Sequence, residues 1–282
     1  MIINSCHFCG QTNLKVVFTE FLSEKPFTNC FCKDCNVYQT IGHIDEVSPD
    51  YISLEKEDIT EEHRFLQMSH KLIAFNDWFK CVSKHLKKNV NNLSLLDIGC
   101  GVGGFLDFAT KRNINCFGFD ASEAHIEESI KRHTNVRHST SVGDYSKSIN
   151  RPLESIDLVT LWDVFEHIRD PIIFLNEIKG VMKKDGLLFI SVPNGSINPL
   201  KVLFARIFRR PIGLIPWEHV FYYTPKGLKK VIENCGFEVL ELGGVKPYSR
   251  PFTLHELVRR FLHYLLKNTK YSFQIYILAK SS

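Results

Sequence analysis

Two pairs of cysteines near the start of the chain have the spacing of a metal site. Cys6-x-x-Cys9 and Cys32-x-x-Cys35 each let two thiolates turn toward one ion, and two such knuckles complete a tetrahedron for zinc. Cys30 is a spare thiol that could replace Cys32 as a ligand, although the C-x-x-C pair is the better bite, and His7 is a bystander. Four thiolates leave no open coordination position, so the Zn2+ is expected to be structural. A second chemical feature is LLDIGCGVGG at 95–104, where Asp97 precedes Gly99, Gly101, Gly103 and Gly104. Glycines gathered this way let the main chain approach a ligand closely. Further acids stand at Asp120, Asp144 and Asp163, and histidines at His167 and His219.

The elements that must position these groups follow from the pattern. LSLLDIG, NCFGFD, NVRHSTSV, SIDLVTLWD and LLFISVP read as strands, separated by helical segments. Ser122 caps the helix SEAHIEESIKRH, and Pro171 opens a helix that runs through VMKK and stops at Gly186. Strands alternating with helices predict an α/β fold with a parallel sheet, helices on both faces and ligands at the carboxyl ends of the strands. Between the knuckles, LKVVFTEF and PFTNCF read as the strands of a zinc ribbon. Residues 61–88 carry a helical stripe of Phe65, Met68, Leu72, Phe75, Phe79, Val82 and Leu86. It is expected to pack on its own domain in preference to forming a dimer seam. The expected divisions are a ribbon at 1–45, a helical segment at 46–90, and a ligand-binding domain at 91–282 with inserted helices near 198–212 and 253–268.

Gly99-x-Gly101-x-x-Gly104 also fits the dinucleotide fingerprint. Asp97 argues against it, because a carboxylate there suits a cationic ligand and would repel a pyrophosphate. The acids after the third and fourth strands, and a terminal hairpin from FEVLELGGV to SFQIYILAK, also depart from the dehydrogenase arrangement.

LLDIGCGVGGF, GFDAS, LWDVFEHIRDP, KKDGLLFISVPN and TPKGLKKVIENCGFEVLEL, in that order over residues 93–245, resemble the class I S-adenosylmethionine-dependent methyltransferases of the ubiquinone-type small-molecule branch. The knuckles more loosely resemble zinc-ribbon methyltransferases of sugar and polysaccharide tailoring. The resemblance implies a Rossmann-like sheet of seven strands, mostly parallel with an antiparallel last strand. It implies that Gly99, Cys100, Gly101 and Gly103 cradle the methionine part of S-adenosyl-L-methionine, with Cys100 only a small residue in a tight turn. Asp97 would face the ammonium group, Asp120 the ribose hydroxyls, and Ala121 the adenosine. Asp144 would accept from the adenine amino group with Tyr145 beside the ring, and Trp162 and Asp163 would lie under the cofactor.

Displacement at a sulfonium methyl needs a nucleophile placed in line, and an oxygen nucleophile gains by losing its proton. His167 is favoured as the base, with His219 and Glu166 as alternates. The expected activity is O-methylation of a sugar, polysaccharide precursor or lipid-linked metabolite. The alternatives are an RNA methyltransferase that grips RNA with the ribbon and basic helices, and a non-catalytic cofactor-binding protein. No DPPY or NPPY follows the fourth strand and no Pro-Cys pair stands there, which counts against nucleic acid.

The bulk figures fit this reading. The chain has 282 residues, 44% of them hydrophobic and 23% charged, with a net charge of +4. That charge is too small to imply a nucleic-acid partner by itself. Nine cysteines, no apolar leader and no stretch long enough to span a membrane predict a reduced, cytoplasmic protein. The segment 198–214 holds Lys201, Arg206, Arg209 and Arg210 and no acid, and Arg250, Arg259, Arg260, Lys267 and Lys270 answer only Glu256 in 250–270. On the apolar sides stand Leu200, Leu203, Phe204, Ile207 and Phe208, then Leu254, Leu257, Val258, Phe261, Leu262 and Leu265. The first expectation is a lid and a flanking helix packed on the core. The second is a platform touching the inner membrane surface.

Overall fold

The computed structural model describes residues 5–22, 24–42, 61–86, 93–149, 155–209, 212, 214, 216, 218–245 and 272–281, with only the backbone for Leu22 and 61–70. Apolar runs fully buried along their length, such as β4 (Ser94–Ile98) and β7 (Ile156–Trp162), form the centre of a sheet covered on both faces. β4 pairs in parallel with β7 and with β5 (Asn115–Asp120), β5 with β6 (Val136–His138), and β7 with β8 (Met182–Pro193). β11 (Gln274–Ser281) runs antiparallel between β8 and the edge strand β10 (Phe237–Gly244). The order β10-β11-β8-β7-β4-β5-β6 is the expected seven-stranded, mostly parallel sheet with one antiparallel strand.

One face packs under α1 (Glu61–His85), α2 (Gly104–Thr110) and α3 (Glu123–Ser129). The buried side of α1 is Ala74, Phe75, Trp78, Cys81 and Val82, whereas Leu72 is exposed. Trp78 and Phe75 set this rotation by meeting the ring of Phe105 at 4.8 and 5.0 Å. The helix therefore packs on its own domain. Phe65 and Met68 belong to the part given only as backbone.

The other face packs under α4 (Val142–Ser148), α5 (Pro171–Val181) and α7 (Pro225–Asn234). Two expected boundaries move. The helix after Pro171 ends at Val181, because Met182 is extended and begins β8, which turns at Asp185 with φ +67°. The third strand stops at His138, and Ser141 caps α4 by accepting from the Asp144 amide. Gly143 and Asp144 are thus helical.

The ribbon strands β1 (Lys15–Leu22), β2 (Lys25–Cys32) and β3 (Val37–Gly42) form an antiparallel sheet that a fourth strand, β9 (Phe221–Tyr223), completes from the far end of the chain. Cys6, Cys32, Cys35 and Val37 are continuous with the core on the α7 side of the large sheet. Between β8 and β9 lies α6 (Asn198–Phe208), the first inserted helix. The second, near 253–268, lies outside the described residues, as do Arg210 and residues 43–60.

Candidate active site

The bend after β4 is fixed by backbone bonds and positive φ angles. The amides of Gly99 and Cys100 donate to the Phe119 carbonyl at 2.8 and 3.1 Å. Gly99, Gly101 and Gly103 have φ of +68°, +52° and +82°. A Cβ on Gly99 would meet Val164 Cγ2 at 2.3 Å, but a Cβ on Gly101 would enter open space. That space is a cavity of about 100 Å³ bounded by Lys71, Asp97, Gly99, Cys100, Gly101 and Trp162.

Asp97 is 2% exposed and accepts from Thr160 Oγ1 at 2.7 Å. Burial lifts its carboxyl to about 7, so a cationic ligand would reward its ionisation. Asp120, at the end of β5, accepts from the Gly101 amide and from the Ser122 amide, each at 2.8 Å. It ties the glycine bend to the second strand. Ala121 is exposed beside it, and its carbonyl lies 3.0 Å from His138 Nε2. Cys100 is buried, and burial pushes its thiol well above the ordinary value, as suits a small turn residue and not a nucleophile.

Asp163 has φ +60° and is held by Lys71 Nζ at 3.0 Å and by the Gln274 side-chain amide. Lys71 and Gln274 are site residues that sequence reasoning missed. Lys71 is polar within a helix read for its apolar stripe, and Gln274 begins a strand distant in sequence.

Of the two expected neighbours of the adenine, one is buried and one is exposed. Tyr145 is in the core: its hydroxyl donates to the Asn135 carbonyl and accepts from the Gly118 amide, and its ring lies 5.2 Å from that of Phe119. It has no face left for a ligand. Asp144 sits on the first turn of α4 with its side chain 71% exposed and 3.5 Å from Lys147.

Of the three candidates for proton transfer, Glu166 and His167 are adjacent in sequence, and the distant His219 converges on them. Each of Glu166, His167 and His219 offers a ligand atom within 4.8 Å of the others. The ring centroids of His167 and His219 are 4.8 Å apart, and His167 Nε2 is 3.9 Å from Glu166 Oε1. His167 Nδ1 lies 2.9 Å from the Glu218 carbonyl, which can only accept, so Nδ1 carries the proton and Nε2 is free to take one. Burial pushes His219 down to about 4, helped by the charges of His167 and Lys201, so it is neutral near pH 7. Neither carboxyl oxygen of Glu166 has a hydrogen-bond partner, and burial, then the Asp163 charge, raises it well above the usual range.

In the ribbon, the sulfurs of Cys6, Cys9, Cys32 and Cys35 lie within 4.8 Å of one another, with Cys9 and Cys32 3.7 Å apart. A tetrahedron of Zn–S bonds of about 2.3 Å has edges of about 3.8 Å. The four thiols fit zinc; Cys30 is buried outside the group.

A methyltransferase domain model matches residues 65–242. The chain belongs to the methyltransferase domain family. It is a class I, S-adenosylmethionine-dependent enzyme. Ubiquinone biosynthesis O-methyltransferases are similar to it. That of Dinoroseobacter shibae is 26% identical over 178 residues, covering 58% of this chain and 68% of its own. That of Rhodopseudomonas palustris (strain BisB5) is 27% identical over 166 residues, 55% of this chain and 62% of its own. The chain thus spans about two thirds of the length of these relatives.

Among solved structures, a phosphoethanolamine N-methyltransferase 2 from Haemonchus contortus in complex with S-adenosyl-L-methionine shares the fold with TM-score 0.54 and 14% identity, over 94% of this chain and 71% of its own. So does the magnesium protoporphyrin IX methyltransferase from Synechocystis PCC 6803, with TM-score 0.51 and 14% identity, over 80% of this chain and 90% of its own. No described helix is long and apolar enough to cross a membrane.

Proposed function

We propose that this methyltransferase methylates an oxygen of a small polar acceptor: a sugar, a polysaccharide precursor or a lipid-linked metabolite. The observation that carries the reading is the convergence of Glu166, His167 and His219 beyond the end of β7. The similar proteins of Dinoroseobacter shibae and Rhodopseudomonas palustris, which are O-methyltransferases, agree with it.

S-adenosylmethionine supplies an electrophilic methyl group when bound. Asp97 would face its ammonium, Asp120 would accept from the ribose hydroxyls, and Gly99, Gly101 and Gly103 would let the main chain approach closely. Trp162 walls the cavity, and Lys71 and Gln274 fix Asp163 next to it. His167 Nε2 takes the proton of the acceptor hydroxyl. The positive charge that arises on the ring draws Glu166, 3.9 Å away, toward its ionised form. His219, neutral and half-buried, orients the acceptor and is the alternate base.

The ribbon takes one structural Zn2+ through Cys6, Cys9, Cys32 and Cys35. It acts by holding β3, and through β3 the strand that follows His219.

Incubation with methyl-labelled S-adenosylmethionine and separate glycan, lipid and RNA pools of a cell extract tests the reading. Label should enter the glycan or lipid pool as an ether or ester, and His167→Ala should reduce it by about a hundredfold or more. Label confined to RNA would make the chain an RNA methyltransferase instead.

A further inference from the structure

The helix α6 turns its large side chains the wrong way for a packed lid. Val202 and Ala205 are its buried apolar residues, and Val202 packs with Phe18, Tyr38 and Tyr222. Leu200, Leu203, Phe204, Ile207 and Phe208 are instead 43 to 62% exposed. They recur every three or four residues and form one stripe, on which the rings of Phe204 and Phe208 stack at 6.1 Å. A contiguous apolar patch of this kind marks an interaction surface.

Two further observations narrow the partner. The stripe is accompanied by exposed Arg206 and Arg209, and residues 198–214 contain no acid. The helix also stands near His219, for Val202 packs with Tyr222, whose ring lies 5.3 Å from that of His219. A second copy of the chain seated face to face would bring like charges together. A surface that is apolar inside and negative outside satisfies both features.

We propose that α6 docks on an anionic lipid bilayer, its leucine and phenylalanine side chains entering the headgroup boundary and Arg206 and Arg209 meeting lipid phosphates. The docked helix holds the mouth beside His219 against the membrane, so the acceptor oxygen belongs to a lipid-borne polar group. The choice of acceptor rests on the O-methylation reading above; the docking does not.

Flotation of the full chain with phosphatidylcholine vesicles, with and without phosphatidylglycerol, tests it. The wild type should float with the anionic vesicles and less so as salt rises. Phe204→Ser/Phe208→Ser should lower partitioning by more than about tenfold. Arg206→Gln/Arg209→Gln should abolish the preference for anionic lipid. Because these side chains are exposed, both variants should keep the melting temperature and the cofactor affinity, measured on the same samples. Absence of wild-type flotation, or equal flotation of the phenylalanine variant, would overturn the proposal. So would a wild-type dimer in light scattering that the phenylalanine variant makes monomeric, since the face would then join two copies. Methyl transfer without flotation would remove the docking and leave the O-methylation reading standing; flotation with label only in RNA would do the reverse.

Discussion

The hydroxyl of Thr40 donates to the backbone carbonyl of His219 at 3.0 Å. The Thr40 amide donates to the carbonyl of Val220 at 2.8 Å, and Gln39 pairs with Phe221 one step along. A strand of the ribbon therefore carries the loop that bears the second histidine, 179 residues away in sequence.

Thr40→Val should uncouple the two. Loss of one buried hydrogen bond costs about 1 kcal/mol of stability. The turnover number should fall about tenfold while the dissociation constant for S-adenosylmethionine stays unchanged, because the cofactor cavity touches no ribbon residue. Thr40→Ser, which keeps the donor, should restore most of the rate. A variant that loses cofactor affinity and turnover together would assign Thr40 a purely structural part.

Metal removal should act along the same path. Elemental analysis should find about one zinc per chain, and Cys35→Ser should abolish it. Chelation should lower the melting temperature, since a ligand bound only to the folded state stabilises it by mass action. Methyl transfer should fall with the metal. Full activity in a zinc-free chain would contradict the coupling through β3 and β9.

Cofactor affinity should depend on pH through Asp97. Its folded value is raised from 3.8 to about 7 by burial. The empty chain therefore loses stability as pH climbs between those values, by at most about 4 kcal/mol. A bound cation favours the carboxylate, so affinity should rise by up to about tenfold per pH unit toward pH 7 and then level off. Calorimetry in buffers of different ionisation enthalpy should register the proton released. Asp97→Asn should bind weakly and with no such slope.

Two glycines of one bend should fail differently. Gly99→Ala places a Cβ 2.3 Å from Val164 Cγ2 at φ +68°, so it should destabilise the fold by about 2 to 4 kcal/mol. Gly101→Ala meets no atom within 4 Å, so it should cost about 1 to 2 kcal/mol of stability and chiefly reduce cofactor affinity. Thermal melts and calorimetry on the pair separate strain from occlusion of the cavity.

The alternation of buried strands with capped helices made the sheet legible, and Asp97, Gly101 and Asp120 could be placed because they sit at strand ends, where topology leaves little freedom. The strand read over 135–142 stops at His138 because Ser141 took the cap of α4, which drew Gly143, Asp144 and Tyr145 into a helix. Lys71 and Gln274 carry no local pattern; they reach Asp163 only through the packing of α1 and the antiparallel insertion of β11. The union of β3 with β9 was hidden for the same reason, since pairing between strands so distant leaves no periodicity to read. The stripe on α6 was visible as a stripe, but periodicity gives a face and not its direction. Small inward residues, Val202 and Ala205, set the direction.

The most direct measurement is calorimetric titration of S-adenosylmethionine into the wild type and into Asp120→Ala. One site per chain is predicted for the wild type, with NAD giving no heat. Asp120→Ala should weaken binding by about a hundredfold or more, since the Gly101 amide and the ligand would lose the same carboxylate. Undiminished binding in the variant, or heat from NAD with none from the sulfonium nucleoside, would contradict the account.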